Sequence, residues 1–301
     1  FSTNITSTGS GNVRITGTAN GSDRANGVYL GNSTKVESHS GDLMITGTSY
    51  GTGNSSRGVY LRLSSNVTSS GSGNVTITGT AANGTDNACG IILDNSCITT
   101  ASSGNLIISG TSNATGTGSQ GIILRASSTI ALTSSGQLTI TGTTPGNVTG
   151  GIGINSISSG DRIASNGGLI TLNANSVNLT GTVNATTAGN IVIQTLGAGV
   201  DLGGADSSSN LGLTSAEINN ITAGTLTINS NIVNNGTGAV TLVKSGTSTL
   251  TIQNANSFTG NTTISAGAVN VRNNSALGAG NASDCFCAQV SHARSSCSTS
   301  S

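Results

Sequence analysis

Residues 73–80 read GNVTITGT, and the same phrase returns through the first half of the chain. It occurs as GNVRITGT at 11–18, GDLMITGT at 41–48, GNLIISGT at 104–111 and GQLTITGT at 136–143. Successive copies begin 30 to 32 residues apart. A fixed period of this length is typical of repeat architectures, in which each unit stacks on the next.

The phrase has the alternation of a β-strand with one buried face. In an extended chain, Val75 and Ile77 fall on one side and Thr76 and Thr78 on the other. The aliphatic side is expected to face the interior. The glycine that follows, Gly79, suits either a corner or a close approach of two backbones.

A second phrase keeps the same period between the copies of the first. It reads GVYL at 27–30 and 58–61, GIIL at 90–93 and 121–124, and GIGI at 151–154. A third apolar position follows each copy, at Val36, Val67, Ile98 and Ile130. Each unit therefore carries three short strands, none of which can bury its apolar face alone. The pattern predicts an all-β solenoid with about three short strands per coil.

The composition excludes several classes of protein. Charged residues are 7% of the chain and ten basic side chains balance ten acidic ones, so we expect no surface for nucleic acid or an anionic membrane. No apolar run approaches the ~18 residues of a transmembrane segment. The first residues lack a signal-peptide pattern, and the chain is expected to be a piece of a longer protein. The regular alternation argues against disorder over residues 1–280.

The rhythm of the repeats divides the chain into three parts. Residues 1–155 are predicted to form a solenoid of repeats of about 31 residues. Residues 156–280 are predicted to continue it with smaller coils. Residues 281–301 hold three of the five cysteines and no strand alternation, and we expect an irregular, disordered tail.

Strand-like pieces in the second part recur at shorter spacings. They lie at 169–172, 177–179, 190–193, 200–202, 224–228, 239–243, 249–252, 262–264 and 268–271. One segment has a helical pattern instead, TSAEI at 214–218. We expect a single turn there, capped by Thr214 or Ser215.

Two segments of the second part resemble families of bacterial surface proteins. The first contains GVDLGGAD at 199–206, LGLTSAEI at 211–218 and ITAGTL at 221–226, and it resembles a phrase of filamentous-haemagglutinin-like proteins. The second contains GTSTLTI at 246–252, NSFTGNTTI at 256–264 and GAVNV at 267–271, and over 246–279 it resembles the autotransporter-associated β-strand repeat. Phe258 stands at the aromatic position of that repeat, whereas Ala268 and Val269 replace its usual Thr-Leu.

The resemblance implies a right-handed parallel β-helix on the passenger of a secreted adhesin. It implies an extracellular or cell-surface location, with the parent protein either secreted or anchored in the outer membrane. It also implies an outer-membrane translocator in that parent, which this sequence does not include. The secretion route, autotransporter or two-partner, stays open.

The sequence predicts no catalytic, cofactor-binding or metal-binding residues and no cofactor. The acidic residues are dispersed along the repeats, and Asp201 and Asp206 are interpreted as turn residues beside glycines. His39 has no Ser or Cys partner in a recognisable catalytic arrangement, and it is interpreted as a solvated side chain.

The cysteines leave two questions open. Cys89 and Cys97 could form a disulfide or remain two small buried side chains. In the tail, Cys285, Cys287, His292 and Cys297 could be drawn as a zinc site. A Cys-x-Cys without a second close pair departs from zinc-finger spacings, so no metal site is predicted.

Two features could serve recognition. The outward positions of the second phrase form an apolar row, Tyr29, Tyr60, Ile92 and Ile123. Neighbouring segments could cover this row, or it could contact a partner. The loops at 19–26, 49–57 and 81–88 vary while the strands keep their period, and such loops are where solenoids place recognition.

These observations predict a non-enzymatic structural or adhesive passenger segment. Its partner would be a host or neighbouring-cell surface, through glycan or protein, or a second copy of the chain. One alternative is an ice-binding solenoid that uses the outward pairs Thr16/Thr18, Thr46/Thr48, Thr78/Thr80 and Thr141/Thr143. Another is a polysaccharide-degrading β-helix enzyme, which would need a cluster of carboxylates.

Overall fold

The chain folds as a stack of coils in which all the paired strands are parallel. The computed structural model describes residues 3–101, 103–134, 136–145, 149–202, 205–207, 210–234, 239–244, 249–252 and 254–279. The predicted tail at 281–301 and its candidate zinc ligands lie outside the described residues.

The elements follow in chain order. The first fifteen strands are β1 (Asn4–Ser7), β2 (Val13–Ala19), β3 (Asn26–Leu30), β4 (Lys35–Ser38), β5 (Leu43–Ser49), β6 (Arg57–Arg62), β7 (Asn66–Ser69), β8 (Val75–Ala81), β9 (Cys89–Asp94), β10 (Cys97–Thr100), β11 (Leu106–Ser112), β12 (Gln120–Arg125), β13 (Thr129–Leu132), β14 (Leu138–Thr143) and β15 (Ile152–Ser156). They are followed by β16 (Arg162–Ser165), β17 (Ile170–Ala174), β18 (Val177–Leu179), β19 (Thr182–Asn184), β20 (Asn190–Thr195), β21 (Gly199–Leu202), β22 (Asn210–Leu213), the helix α1 (Ser215–Asn219), β23 (Ile221–Thr222), β24 (Thr225–Ile228), β25 (Ile232–Val233), β26 (Leu242–Lys244), β27 (Thr249–Ile252), β28 (Thr262–Ile264) and β29 (Ala268–Val271).

Three long sheets run along the stack, because each strand of the first half pairs with the strand three places further on. Sheet A has the order β1-β4-β7-β10-β13-β16-β19-β23, sheet B the order β2-β5-β8-β11-β14-β17-β20-β24-β27-β29, and sheet C the order β3-β6-β9-β12-β15-β18. The predicted parallel β-solenoid is confirmed, with about 7 turns. Its right-handedness stays a prediction.

The repeated phrase stacks on itself in register and fills the interior with aliphatic side chains. Ile77 pairs with Ile45 on one side and Ile108 on the other, and all three are fully buried. Val75 of the same phrase and Ile91 and Leu93 of the second phrase are also fully buried. Each such Ile or Leu contributes about 1.5–3 kcal/mol. Stacked aliphatic columns thus replace the aromatic core of an ordinary globular domain.

Two glycines in each coil bring the backbones of sheets B and C together. A methyl group built on Gly79 would overlap the carbonyl oxygen of Gly90, and one on Gly90 would overlap the backbone of the next coil. The same pairs recur as Gly17–Gly27, Gly47–Gly58, Gly110–Gly121 and Gly142–Gly153. Of the two roles that the sequence allows for the glycine of the first phrase, the structure shows the close approach.

A ladder of polar side chains closes the corner before sheet B. The Oδ1 atom of Asn74 accepts a hydrogen bond from the backbone N–H of Asn105 at 2.9 Å, and Asp42 Oδ1 accepts from Asn74 N–H at 2.9 Å. The same bond joins Asn12 to Asp42 and Asn105 to Gln137. Each side chain satisfies a backbone donor one coil further on, so the corner residue of the phrase is short and polar.

The second half stacks with unequal steps. On sheet B, Ile170 pairs with Ile191, Ile191 with Leu226, Leu226 with Leu250 and Leu250 with Val269, which are steps of 21, 35, 24 and 19 residues. Sheets A and B contain strands from both sides of residue 155. The division into parts at 155 and 280 stays a prediction.

The predicted helical turn at 214–218 is present as α1. Thr214 is its N-cap, and a capping box joins Thr214 to Glu217 in both directions. Sheet C ends nearby at β18, and α1 packs close to that edge through the side chain of Glu217.

Candidate functional site

Sheet C carries a row of large side chains on its outer face. Tyr29, Tyr60, Ile92 and Ile123 pair in register on successive strands, as predicted. Tyr60, Ile92 and Ile123 are nevertheless buried, in a small cluster with Cys89 that is separate from the main core. Tyr29 stays 46% exposed. Contacts among these side chains and Cys89 therefore bury most of the row, and no covering loop or segment is seen among the described residues.

Two aromatic contacts organise the exposed end of this row. The guanidinium carbon of Arg57 lies 4.6 Å from the centroid of the Tyr60 ring, in a cation–π contact. The rings of Tyr29 and Tyr60 meet edge to face, with centroids 5.5 Å apart. A side chain at Gly31 would collide with the phenol ring of Tyr29, so this glycine leaves the room in which the ring lies.

A charged network lies at the carboxyl ends of the same strands. Arg62, Asp94 and Arg125 are register partners on β6, β9 and β12. The Nη2 atom of Arg125 lies 2.7 Å from Asp94 Oδ2 and donates to the Tyr60 hydroxyl oxygen at 3.2 Å. The Tyr60 hydroxyl donates in turn to Asp94 Oδ2 at 3.1 Å, and Arg62 Nε lies 3.7 Å from the same oxygen.

The pKa values of Asp94, Tyr60 and Arg57 are shifted by burial and by the charges of a single carboxylate that lies here among several guanidinium groups. Burial acts to raise the pKa of Asp94, but the hydrogen bonds and charges of Arg125, Tyr60 and Arg62 outweigh it and lower the pKa. Burial, followed by the charge of Asp94, raises the pKa of Tyr60, so the phenol keeps its proton. Burial also lowers the pKa of Arg57, and the charges of Arg125 and Arg24 act in the same direction.

Arg57 differs from the other two arginines because it has no carboxylate partner among the described residues. Its Nη1 atom lies 3.4 Å from Asn26 Oδ1, which is a weak contact at best. Its Nε atom is buried without an acceptor. We call Tyr29, Arg57, Tyr60, Arg62, Asp94 and Arg125 together the arginine–tyrosine face.

The arginine–tyrosine face was not predicted from the sequence, although a signal for it was present. Its charges belong to three strands whose sequences are RGVYLR, CGIILD and QGIILR. Aligning these strands on their shared glycine places Arg62, Asp94 and Arg125 in one column. The apolar positions dominate the pattern of these strands, so the charged column emerges only when the three strands are aligned.

The candidate recognition loops stack on one another as closely as the strands do. The backbone N–H of Gly53 donates to the carbonyl of Ser22 at 2.9 Å, and that of Asn54 donates to Asp23 Oδ1 at 2.7 Å. One coil further on, Asp86 N–H donates to Asn54 Oδ1 at 3.3 Å, and two coils further on, Thr117 N–H donates to Asp86 Oδ1 at 2.7 Å. The loops therefore form a continuous ladder, and deleting one would remove bonds that hold its neighbours.

A cleft of about 1080 Å³ opens where sheet C ends, and Asp206 and Glu217 both line it. Asp206 Oδ2 accepts from the N–H of Val177 at 3.1 Å, and Glu217 Oε1 accepts from the N–H of Leu179 at 3.1 Å. These are donors of the edge strand β18, so the two carboxylates terminate the sheet. Asp206 is partly exposed, yet desolvation in the cleft raises the pKa of its carboxyl to about 7, and Glu217 acts in the same direction.

The interpretation of Asp201 as a turn residue is wrong. It lies within β21, where it is buried and pairs in register with Gly212 of β22. Burial raises the pKa of its carboxyl. The glycines that surround it in the sequence favour a turn, but pairing with β22 and β25 keeps this stretch extended.

The remaining candidates for chemistry stay apart. Cys89 and Cys97 are free thiols on two different sheets, and burial raises the pKa of Cys89 to about 12. The Nδ1 atom of His39 lies 3.1 Å from Ser70 Oγ. Within the described part of the chain, no group of three or more His, Cys, Asp or Glu side chains comes together to hold a metal ion.

The outward threonines of sheet B form two columns. One column contains Thr16, Thr46, Thr78, Ser109 and Thr141, and the other contains Thr18, Thr48, Thr80, Thr111 and Thr143. The hydroxyls of Thr111 and Thr143 bond to each other at 3.0 Å. In the adjacent column, Met44 is 36% exposed and Ile107 41% exposed, which interrupts the threonine surface.

One segment of this solenoid matches a known family of protein repeats. Residues 242–271, which run from β26 to β29, match the family model described as the passenger-associated-transport-repeat. No curated protein and no solved structure matches the chain. The match and the β-solenoid together fit an autotransporter passenger-like repeat protein, which confirms the resemblance over 246–279. The resemblance to filamentous-haemagglutinin-like proteins stays a prediction.

Among the described residues, no helix combines the length and the apolar character needed to cross a membrane.

Proposed function

We propose that this chain is an adhesive, non-enzymatic segment of a bacterial passenger protein that works outside the cell. The solenoid would act as a stiff rod whose lateral faces attach to a host surface, a neighbouring cell or another copy of the rod. The parent protein would be secreted, or anchored through an outer-membrane translocator. The observation that carries this proposal is the passenger repeat at 242–271 in the same stack as the long parallel solenoid.

The disposition of the polar groups supports attachment rather than catalysis. Asp206 and Glu217, the two carboxylates of the large cleft, accept hydrogen bonds from backbone donors and hold the end of sheet C. An acid–base pair needs carboxyl groups that are free to reach a substrate. The arginine–tyrosine face, in contrast, presents exposed aromatic and cationic groups on a rigid sheet, as contact surfaces commonly do.

Beads coated with the purified chain should attach to cultured epithelial cells or cluster with one another, in excess of beads coated with serum albumin. A bead displays many copies of the chain, and many weak contacts act together. The avidity of a bead for a surface should therefore exceed the affinity of a single chain. Bound beads and bead clusters are counted by microscopy. A folded chain whose beads neither attach nor cluster would contradict the proposed adhesive role. Release of reducing sugar ends from a polysaccharide panel would contradict the non-enzymatic one.

An ice-binding solenoid is the second candidate, because the two threonine columns of sheet B are in register over five coils. Threonines one coil apart are ~4.7–4.9 Å from each other in a regular ladder. Because Met44 and Ile107 interrupt the surface beside them, we expect the chain to lower the freezing point no more than albumin does at equal concentration. Thermal hysteresis measured on the full chain tests whether it binds ice. A clear gap between melting and freezing points would favour ice binding over adhesion.

A further inference from the structure

The arginine–tyrosine face has more positive charge than its own carboxylate can balance. Three arginines and one aspartate lie there, and Asp94 pairs with only two of the three, although the whole chain has equal numbers of basic and acidic side chains. Asp94 Oδ2 forms a salt bridge with Arg125 Nη2 at 2.7 Å, and Arg62 Nε lies 3.7 Å from the same oxygen. Both of these arginines still expose part of their side chains, 35% for Arg125 and 47% for Arg62.

Arg57 is the group on this face that lacks an anion. Its guanidinium lies over the Tyr60 ring and is desolvated, and its buried Nε atom has no acceptor among the described residues. A buried donor or cation without a partner costs free energy, and a bound anion is one of the ways in which native structures satisfy such a group. The planar fork of a guanidinium matches the two oxygens of a carboxylate.

Tyr29 supplies a second kind of contact beside this cation. Its ring is exposed but held in place, with the edge-to-face contact to Tyr60 on one side and the backbone at Gly31 beneath it. Ordering a ligand against a ring that is already fixed costs little conformational entropy. The apolar face of a sugar ring packs well on such an aromatic surface.

We propose that the arginine–tyrosine face binds a carboxylate-bearing saccharide, a chain of uronic acid residues. This proposal rests on the proposed attachment function and names the chemistry that is recognised. The carboxylate of one sugar pairs with the Arg57 guanidinium and the neighbouring ring stacks on Tyr29. Arg62 and Arg125, which Asp94 holds in place, lie two strands apart, a distance of ~9–10 Å along the stack. They extend the cationic surface along the direction in which a polymer would lie.

The test is calorimetric titration of the full chain with a galacturonic acid hexasaccharide and with the same hexasaccharide methyl-esterified. We expect the acid to bind about tenfold more tightly than the ester, because esterification removes the negative charge that pairs with the Arg57 guanidinium. Arg57→Gln should weaken binding of the acid to the level of the ester, and Arg57→Lys should recover only part of the loss. Tyr29→Ala should weaken binding of both saccharides.

Arg14→Gln is the matched control, because Arg14 is an exposed arginine on the outer face of sheet B. Its binding should equal that of the unmodified chain, and circular dichroism should show the same fold for every variant. Equal binding of acid and ester, or full binding by Arg57→Gln, would overturn the proposal. Equal binding of a hexaglutamate peptide that Tyr29→Ala leaves unchanged would identify an acidic protein instead of a saccharide and overturn it as well.

The bead assay separates failure of this inference from failure of the proposed function. If beads attach and the acidic hexasaccharide competes, both hold. If beads attach but neither the hexasaccharide nor Arg57→Gln reduces attachment, the adhesive role stands and the saccharide class is wrong. If beads neither attach nor cluster, the adhesive role is wrong, and the titration decides the saccharide site by itself.

Discussion

Replacing Gly79 with alanine should lower the free energy of unfolding by more than ~3 kcal/mol, the upper range of effects produced by overpacking. The added methyl group would overlap the carbonyl oxygen of Gly90, which is backbone and cannot rotate away. Relief by moving the strand is also costly, because Gly79 pairs in register with Gly47 and Gly110 on the strands that flank it. Urea unfolding followed by far-ultraviolet circular dichroism measures the loss.

Gly21→Ala is the control for this prediction. A methyl group on Gly21 would meet only the Ala25 side chain, at 3.8 Å, which is ordinary contact. Its unfolding midpoint should therefore stay within the error of the unmodified chain, or rise slightly because the unfolded chain loses freedom. If Gly79→Ala unfolds at the same urea concentration as Gly21→Ala, the backbones of sheets B and C do not approach as closely as the coordinates place them.

The repeats in the first half predict the fold because spacing alone sets the register there. Copies of GNVTITGT at a near-constant period can stack only with Ile77 beside Ile45 and Ile108, and the structure has this pairing. The helical turn at 214–218 follows from an equally local signal, because a cap residue, Thr214 or Ser215, stands directly at its start, and the structure shows Thr214 as the N-cap.

The features that the sequence did not predict depend on contacts between coils, and the sequence of one repeat does not specify those contacts. Asp201 has turn-forming neighbours, and only its pairing with β22 and β25 shows that it lies in a strand. The ladder at the corner before sheet B was also missed, because an Asn or Asp beside glycine has the composition of a solvated turn. The arginine–tyrosine face unites residues from four coils, and its cation–π contact depends on side-chain directions that a spacing pattern does not contain.

The second large effect is expected at Phe258, in the segment that matches the passenger repeat. Phe258 is fully buried in the main core, where the other large side chains are almost all aliphatic. Its ring lies against Gly278, and its carbonyl accepts from the N–H of Ala279 at 2.9 Å. Truncation to alanine should cost about 3–5 kcal/mol, because the removed ring leaves a cavity that the neighbouring coils can only partly fill.

In a solenoid each coil contacts only its neighbours, so this loss should stay local. Hydrogen exchange followed by mass spectrometry should show faster exchange in Phe258→Ala for peptides covering β27 (Thr249–Ile252) and β29 (Ala268–Val271). Peptides covering β8 (Val75–Ala81) and β11 (Leu106–Ser112) should keep their protection. Phe258→Leu, which retains most of the buried volume, should show a smaller effect in the same peptides. Equal loss of protection in all four strands would mean that the stack unfolds as one cooperative unit, and that the repeat segment cannot loosen without the rod.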